Sequence, residues 1–126
     1  MSRERRHAAY RFGVNAERLA ALYLQCKGYR ILAMRYRGGG GEIDIVAQKG
    51  RTLIAVEVKA RVTFKACEET VMPWKQEKIA RAMEVVMTGH GNIAGLVPGQ
   101  NFNIRFDVIW MAPGQWPRHL KDAWRM

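Results

Sequence analysis

Two acids and a lysine stand inside segments of this chain that are otherwise apolar. Asp44 lies in the run Gly-Glu-Ile-Asp-Ile-Val-Ala, and Glu57 and Lys59 lie in the run Leu-Ile-Ala-Val-Glu-Val-Lys. Ionised side chains are seldom buried without a partner. Their position therefore predicts either an ion pair or a bound metal ion. Because Glu57 and Lys59 are two residues apart, they would share one face of a strand.

These side chains are the ones that hydrolysis of a phosphodiester requires. The reaction needs hard oxygen ligands for a divalent cation, an attacking water molecule and positive charge near the phosphate. Asp44 and Glu57 would hold Mg²⁺ or Mn²⁺, with the carbonyl of Val58 as a further oxygen ligand. Lys59 would orient or deprotonate the water and stabilise the developing negative charge.

The same pattern also has a simpler interpretation. Glu57 and Lys59 would then be a solvated pair on an exposed strand face, and Asp44 an acid at a strand end, because surface pairs are common and add little stability. Two features favour a site instead. The residues around both segments are apolar, and a further acid, Glu17, interrupts a helical line of small or apolar residues.

The helices that must flank these segments follow from the spacing of apolar side chains. Helical spacing covers residues 15–27 and stops at Gly28, and a second helical pattern covers residues 70–88. Residues 89–101 are rich in Gly, Asn and Pro, which predicts a loop. Residues 119–124 are predicted to form a short helical turn.

Extended patterns predict four strands, with a glycine-containing hairpin loop between the second and the third. These strands cover residues 29–36, 42–48, 52–60 and 103–111. The glycine run at residues 38–41 predicts a flexible turn. The order αβββαβ predicts a single α/β domain over residues 1–126, with a mixed four-stranded sheet and flanking helices. The first three strands would be antiparallel, and the crossover helix would make the last two parallel.

Composition restricts the partners. The chain has 126 residues, and 21 Lys and Arg against 11 Asp and Glu give a net charge of +10. This excess favours a polyanion, with nucleic acid ahead of an anionic membrane surface. Residues 1–11 would form a flexible basic arm or a disordered terminus. No segment is apolar enough to span a membrane and no signal peptide is apparent, which predicts a cytoplasmic protein without membrane contact.

Three strings of residues carry a family resemblance: Gly-Glu-Ile-Asp-Ile-Val-Ala, Val-Glu-Val-Lys-Ala-Arg and Arg-Phe-Asp-Val-Ile. An acid followed, after a hairpin, by Glu-Val-Lys resembles the signature of the PD-(D/E)XK nuclease superfamily. The longer strings closely resemble YraN-type bacterial proteins, which are similar to archaeal Holliday-junction resolvases. The resemblance implies a restriction-endonuclease-like fold. It also implies that Glu17, Asp44 and Glu57 are the metal-site acids and that Lys59 is the catalytic lysine.

The resemblance extends to the nucleic-acid interface. Lys75 and Gln76 resemble the basic helix near the active site of that family, although a solvated helix face explains them equally well. Arg37 and Arg61 flank the two motifs and are the other candidate contacts to nucleic acid. Related resolvases act as dimers, so a homodimer is expected by analogy.

Three residue types receive structural interpretations. Asp107 in the fourth strand is expected to pair with a neighbouring arginine. The four tryptophans are more typical of core or dimer contacts than of base-stacking platforms. The three histidines show neither metal-ligand nor triad spacing.

The leading hypothesis is therefore a Mg²⁺-dependent or Mn²⁺-dependent endonuclease that acts on DNA, with branched or structured DNA as the expected substrate. A second hypothesis is a nucleic-acid-binding module that keeps the fold without catalysis, since neutralisation of phosphates supplies most non-specific affinity. A third is a basic protein-interaction domain.

Overall fold

The computed structural model describes residues 2–62, 71–88 and 101–125, with residues 7–14 described as backbone only. It contains two helices and five strands within those ranges. In chain order they are α1 (Arg3–Cys26), β1 (Arg30–Gly38), β2 (Gly41–Lys49), β3 (Thr52–Ala60), α2 (Pro73–Met87), β4 (Asn103–Met111) and β5 (Arg118–Trp124). Most of the predicted loop at 89–101 lies outside the described residues.

The strands form one open mixed sheet in the order β1-β2-β3-β4-β5. Strands β1, β2 and β3 form an antiparallel meander, and β3 and β4 are parallel, as the sequence predicted. The architecture is a mixed α/β fold, consistent with the restriction-endonuclease-like class.

The prediction of four strands and a terminal helical turn was wrong. Residues 118–124 form β5, which pairs antiparallel with β4 through Leu120 opposite Val108 and His119 opposite Ile109. Most of this strand is exposed. Charged side chains are typical of an edge strand and conceal its periodicity, because only its inward positions need to be apolar.

Helix α1 begins earlier than predicted. The side chain of Ser2 accepts a hydrogen bond from the backbone N–H of Arg5, so the helix includes most of the segment predicted as a basic arm. The helix ends as expected at Gly28, whose φ is +91°. The N–H groups of Gly28 and Tyr29 donate to the carbonyls of Gln25 and Leu24, which forms a Schellman motif.

The sheet has a hydrophobic core on each face. On one face Ala16, Ala20 and Leu24 of α1 pack with Ile54 and Val56. The opposite face is covered by α2, whose buried residues pack with the other side of β3. That second core includes Leu53, Ala55, Ile79, Ala82, Met83, Val86, Val108 and Trp110. Strand β3 is therefore apolar on both faces, as the sequence predicted for a central strand.

The glycine run forms the turn between β1 and β2. Gly39 and Gly40 have φ values of +59° and +80°, which suits a two-residue type I′ turn. Gly41 has a second role, because a Cβ there would lie 1.9 Å from the backbone carbonyl oxygen of Lys78 in α2. Only glycine permits this approach, which sets the first turns of α2 against the β1–β2 hairpin.

No helix in the described ranges is both long enough and apolar enough to span a membrane.

Candidate functional site

The candidate site lies where β2 and β3 stop pairing with each other. Their paired register ends at Ile45 opposite Val56. Beyond that point β3 keeps its parallel partner β4, and the N–H of Val58 donates to Asp44 Oδ2 at 2.9 Å. The carboxylate thus satisfies a backbone donor at the point where the two strands separate, which fixes Asp44 beside β3.

Glu57 and Lys59 point from β3 towards the face that α2 covers. Their neighbours in β4, Val108 and Trp110, both belong to the core on that side. Glu57 is 7% exposed and Lys59 is 8% exposed, so both charges are buried. The ammonium of Lys59 lies 5.4 Å from the centroid of the Trp110 ring, within range of a cation–π interaction.

Glu57 receives a cation from α2. The Nζ of Lys75, in the first turn of that helix, donates to Glu57 Oε1. Burial disfavours the charged form of Lys75. The hydrogen bond to Glu57 and the negative charges of Glu57 and Asp44 outweigh it, so the pKa of Lys75 lies above its usual value. Lys75 is therefore a permanent ammonium group at the site.

Asp44 is in the opposite electrostatic situation. Burial and then the negative charge of Glu57 raise the pKa of Asp44 to about 7, and the charge of Glu17 adds to this. The hydrogen bond from the N–H of Val58 and the charge of Lys75 act in the other direction but are weaker. Glu57 is therefore close enough to Asp44 for its negative charge to disfavour ionisation of Asp44.

Glu17 reaches the site from α1. The helical line on which it stands faces the sheet, since Ala20 and Leu24 on that line are fully buried. Glu17 Oε2 accepts a hydrogen bond from Arg35 Nε at 2.7 Å. Arg35 has a φ of +50°, which is rare for a residue with a side chain and stores on the order of 1 kcal/mol. The β1–β2 register places Arg35 alongside Asp44.

The described side chains include no group of three or more His, Cys, Asp or Glu close enough to form a metal-binding cluster. Asp44 and Glu57 are brought together, whereas Glu17 is engaged by Arg35. The chemistry of the pair nevertheless fits a hard divalent cation. Carboxylate oxygens are its preferred ligands, and a cation between the two acids would relieve the repulsion that raises the pKa of Asp44.

The four residues predicted to bind nucleic acid lie in different environments. Arg37 is exposed and its Nε is 3.5 Å from Glu42 Oε2. Arg61 donates to the carbonyl of Ala60, and its guanidinium lies 6.0 Å from the Trp110 centroid. Lys75 contacts Glu57 as described. The side-chain amide of Gln76 donates to the carbonyl of Val71 and so ties the start of α2 to the preceding segment.

A second charged cluster lies at the β4–β5 edge. Asp107, with a fully buried side chain, accepts two hydrogen bonds at 2.8 Å from Arg105, which confirms the predicted pairing with an arginine. Its other partners are His119 Nε2 at 2.7 Å and the backbone N–H of Asp122 at 2.9 Å. The opposite nitrogen of His119, Nδ1, lies 2.7 Å from Lys27 Nζ.

Sequence spacing did not predict the role of His119. This residue and Lys27 are 92 positions apart, and β5 itself was not predicted. The signal available was limited to a histidine near a buried acid. Burial opposes ionisation of Asp107, but the hydrogen bonds from His119 and Arg105 outweigh it, so the pKa of Asp107 lies below its usual value.

Comparison with known proteins identifies relatives along nearly the whole chain. A protein from Parvibaculum lavamentivorans named UPF0102 protein is 45% identical over 118 residues, covering 94% of this chain and 84% of the relative. Proteins of the same name from Methylorubrum extorquens and Caulobacter vibrioides are 40% and 43% identical, covering 97% and 93% of this chain and 91% and 89% of those relatives. The family described as "Uncharacterised protein family UPF0102" matches residues 16–111. The chain therefore belongs to the UPF0102 family.

Proposed function

We propose that this protein is a metal-dependent endonuclease that hydrolyses phosphodiester bonds of DNA. The observation that carries the proposal is the Asp44–Glu57 pair at the point where β2 and β3 separate, with two lysines beside it. Structural acids are normally matched by cations, whereas burial and then the negative charge of Glu57 raise the pKa of Asp44 to about 7. A carboxyl perturbed by burial and by a second acid is typical of sites that bind a cation or do acid–base chemistry.

Asp44 and Glu57 are the residues proposed to hold Mg²⁺ or Mn²⁺, with the Val58 carbonyl as a third oxygen ligand. Glu17 is the third proposed metal acid, because its charge also acts on Asp44. The metal, when bound, would act as a Lewis acid on the phosphate and lower the pKa of a water molecule.

The two lysines have distinct proposed roles. Lys59 is the proposed catalytic lysine. It is buried on the face it shares with Glu57 and would orient the attacking water or stabilise negative charge on the phosphate. Lys75 is the proposed positioning cation. Its contact with Glu57 holds that carboxylate in place and partly offsets the charge repulsion felt by Asp44.

DNA is the proposed substrate because of the net charge of +10 and because the sequence resembles PD-(D/E)XK nucleases. Branched or structured DNA is the expected form, since the same strings of residues resemble Holliday-junction resolvases. Arg37 and Arg61 are the proposed phosphate contacts around the site. A homodimer would match a substrate with two equivalent strands, as in related resolvases.

The test compares cleavage of single-stranded, duplex and four-way-junction DNA with Mg²⁺ or Mn²⁺. The purified protein is expected to cleave, and Glu57→Ala and Lys59→Ala are expected to reduce the rate at least 100-fold. Glu77→Ala is a matched control, because Glu77 is an exposed acid of α2 that pairs with Arg81 one helical turn away. Equal cleavage by all four proteins would show that the activity belongs to a contaminant.

One observation favours a second candidate, a DNA-binding module without catalysis. Two of the three proposed metal acids already have protein cations, since Glu17 pairs with Arg35 and Glu57 pairs with Lys75. Calorimetry separates the candidates. A module would bind no divalent ion, and its salt-sensitive binding to DNA would survive Asp44→Ala.

A further inference from the structure

A groove of about 400 Å³ lies between the β1–β2 turn and the start of α2. Its walls carry Arg37 and Glu42 on the hairpin side and Trp74, Lys75 and Lys78 on the helix side, with glycines of the turn between them. The close approach of α2 to the glycine turn brings these two walls together. Three cations face one acid, so the groove complements an anion such as a chain of phosphates.

Trp74 is unusually exposed to solvent for a large aromatic residue. It is 60% exposed, and Trp116 is exposed as well, so neither is a core residue, the first of the two environments expected for the tryptophans. The ammonium of Lys78 lies 5.5 Å from the centroid of the Trp74 ring. An exposed indole among lysines provides both a surface on which a nucleobase can stack and positive charge for the adjoining phosphate.

The groove is connected to the candidate catalytic acids. Lys75 lines it and at the same time contacts Glu57, so a strand held in the groove would run towards the Asp44–Glu57 pair. The outer side of the turn is open, because a Cβ on Gly40 would meet no atom within 4 Å. A backbone phosphate can therefore approach the turn closely.

We propose that this groove binds an unpaired strand of DNA, with a base stacked on Trp74 and phosphates against Arg37 and Lys78. The inference rests on the proposed function and adds a preference to it. Bases inside a duplex are stacked on each other and do not offer a face to an indole, whereas an unpaired base does. DNA with a flap or an open junction arm next to the cleavage position is the substrate class that fits.

The experiment measures binding by fluorescence anisotropy in EDTA, so that it does not depend on cleavage. The two probes are a labelled duplex and the same duplex carrying an unpaired flap. Trp74→Ala is expected to weaken binding of the flapped DNA about tenfold and to leave duplex binding unchanged, with Trp74→Phe retaining most of the affinity. Trp116→Ala is the matched control, because Trp116 is an even more exposed tryptophan outside the groove.

Lys78→Ala is expected to weaken binding of the flapped DNA more than of the duplex, and to reduce the salt dependence of flap binding by about one phosphate contact. The inference is overturned if Trp74→Ala behaves like Trp116→Ala, or if it weakens both DNAs equally. If cleavage depends on Glu57 but affinity for the flapped DNA does not depend on Trp74, the proposed groove is contradicted and the proposed nuclease activity is supported. If the preference for flapped DNA depends on Trp74 but no cleavage depends on Glu57, the proposed groove is supported and the proposed nuclease activity is contradicted.

Discussion

Asp44 and Asp107 are two aspartates in otherwise apolar strands of the same sheet, and their surroundings are opposite. Asp107 in β4 accepts hydrogen bonds from Arg105, from His119 and from the N–H of Asp122, and its pKa is lowered. Asp44 in β2 accepts one hydrogen bond from the described residues, donated by the N–H of Val58, and its pKa is raised to about 7 by burial and by Glu57.

Asp107 carries a structural charge, and Asp44 is the acid to which the proposed function gives a role. The partners of Asp107 come from β4, β5 and, through His119, the end of α1, so its carboxylate joins elements that are distant in sequence. Within the described part of the chain Asp44 gains little of this kind, and the charge that changes its pKa most belongs to another acid, Glu57. A fold keeps such a pair, at a cost in stability, where an external cation or a reaction uses it.

The largest effect is expected at Asp107. Asp107→Asn leaves the guanidinium of Arg105 without its buried carboxylate and should reduce the free energy of unfolding by about 3 to 5 kcal/mol at pH 7. The folded-state pKa of Asp107 is lowered, so its contribution is present above the unfolded pKa and is lost as the pH falls through the folded pKa. Urea denaturation should therefore show the two proteins converging in acid.

A control for that measurement is Asp122→Asn, which removes an exposed carboxylate but keeps the backbone N–H that Asp107 uses. Its unfolding free energy should stay close to that of the wild type. A loss at Asp107→Asn as small as this control would mean that the cluster contributes no more than a surface pair.

The contribution of Asp44 to stability should depend on pH in the opposite direction. Its folded-state pKa is raised, so its own contribution to stability is fully present below the unfolded pKa near 4 and is lost as the pH rises through about 7. Asp44→Asn keeps an oxygen for the N–H of Val58 but removes the charge. It should stabilise the protein by about 2 kcal/mol at pH 8 in EDTA and change little at pH 4.

Thermal unfolding across that pH range measures the difference directly. Glu42→Gln is a suitable control because Glu42 is an exposed acid of the same strand. A destabilised Asp44→Asn at pH 8 would place Asp44 in the same structural class as Asp107 and remove the contrast between the two aspartates.

The sequence predicted the parts of the fold that local periodicity determines. The bounds of β3 and β4 were predicted to the residue, because β3 is mostly apolar on both faces and β4 alternates apolar side chains along its length. The parallel pairing of those strands followed from the length of the crossover. The pairing of Asp107 with an arginine followed from its burial, and Arg105 two positions earlier projects to the same face.

Contacts between distant elements could not be predicted in this way. The hydrogen bond from Lys75 to Glu57 depends on where α2 lies, and that depends on the close approach at Gly41. The pair between Glu17 and Arg35 depends on an uncommon backbone conformation within β1. Edge strand β5 was missed because exposed charged residues conceal its periodicity, and the position of His119 was missed with it.

Divalent ions should have a smaller effect on the free energy of unfolding, through the site that contains Asp44. If Asp44 and Glu57 hold Mg²⁺ or Mn²⁺, ion at ten times its dissociation constant should stabilise the wild type by about 1.4 kcal/mol at pH 8. Asp44→Asn and Glu57→Gln should lose this gain. The three proteins are compared by thermal unfolding with and without the ion, and an equal gain in all three would place the ion elsewhere.

The smallest effect is expected at Lys75, and it tests whether the two aspartates are independent. The positive charge of Lys75 lowers the pKa of Asp44, but it is the weakest of the resolved influences on that carboxyl. Lys75→Met should therefore raise the titration midpoint of Asp44 by a fraction of a pH unit. Carbon-13 NMR of the aspartate carboxyl groups measures this midpoint. Lys78→Met is the matched control, because Lys78 is a lysine of the same helix that lies against Trp74. The titration midpoint of Asp107 should stay the same in both variants, since its charge is balanced within its own cluster. An equal change in the midpoint of Asp107 would mean that the substitution alters the whole sheet rather than the electrostatic field at Asp44.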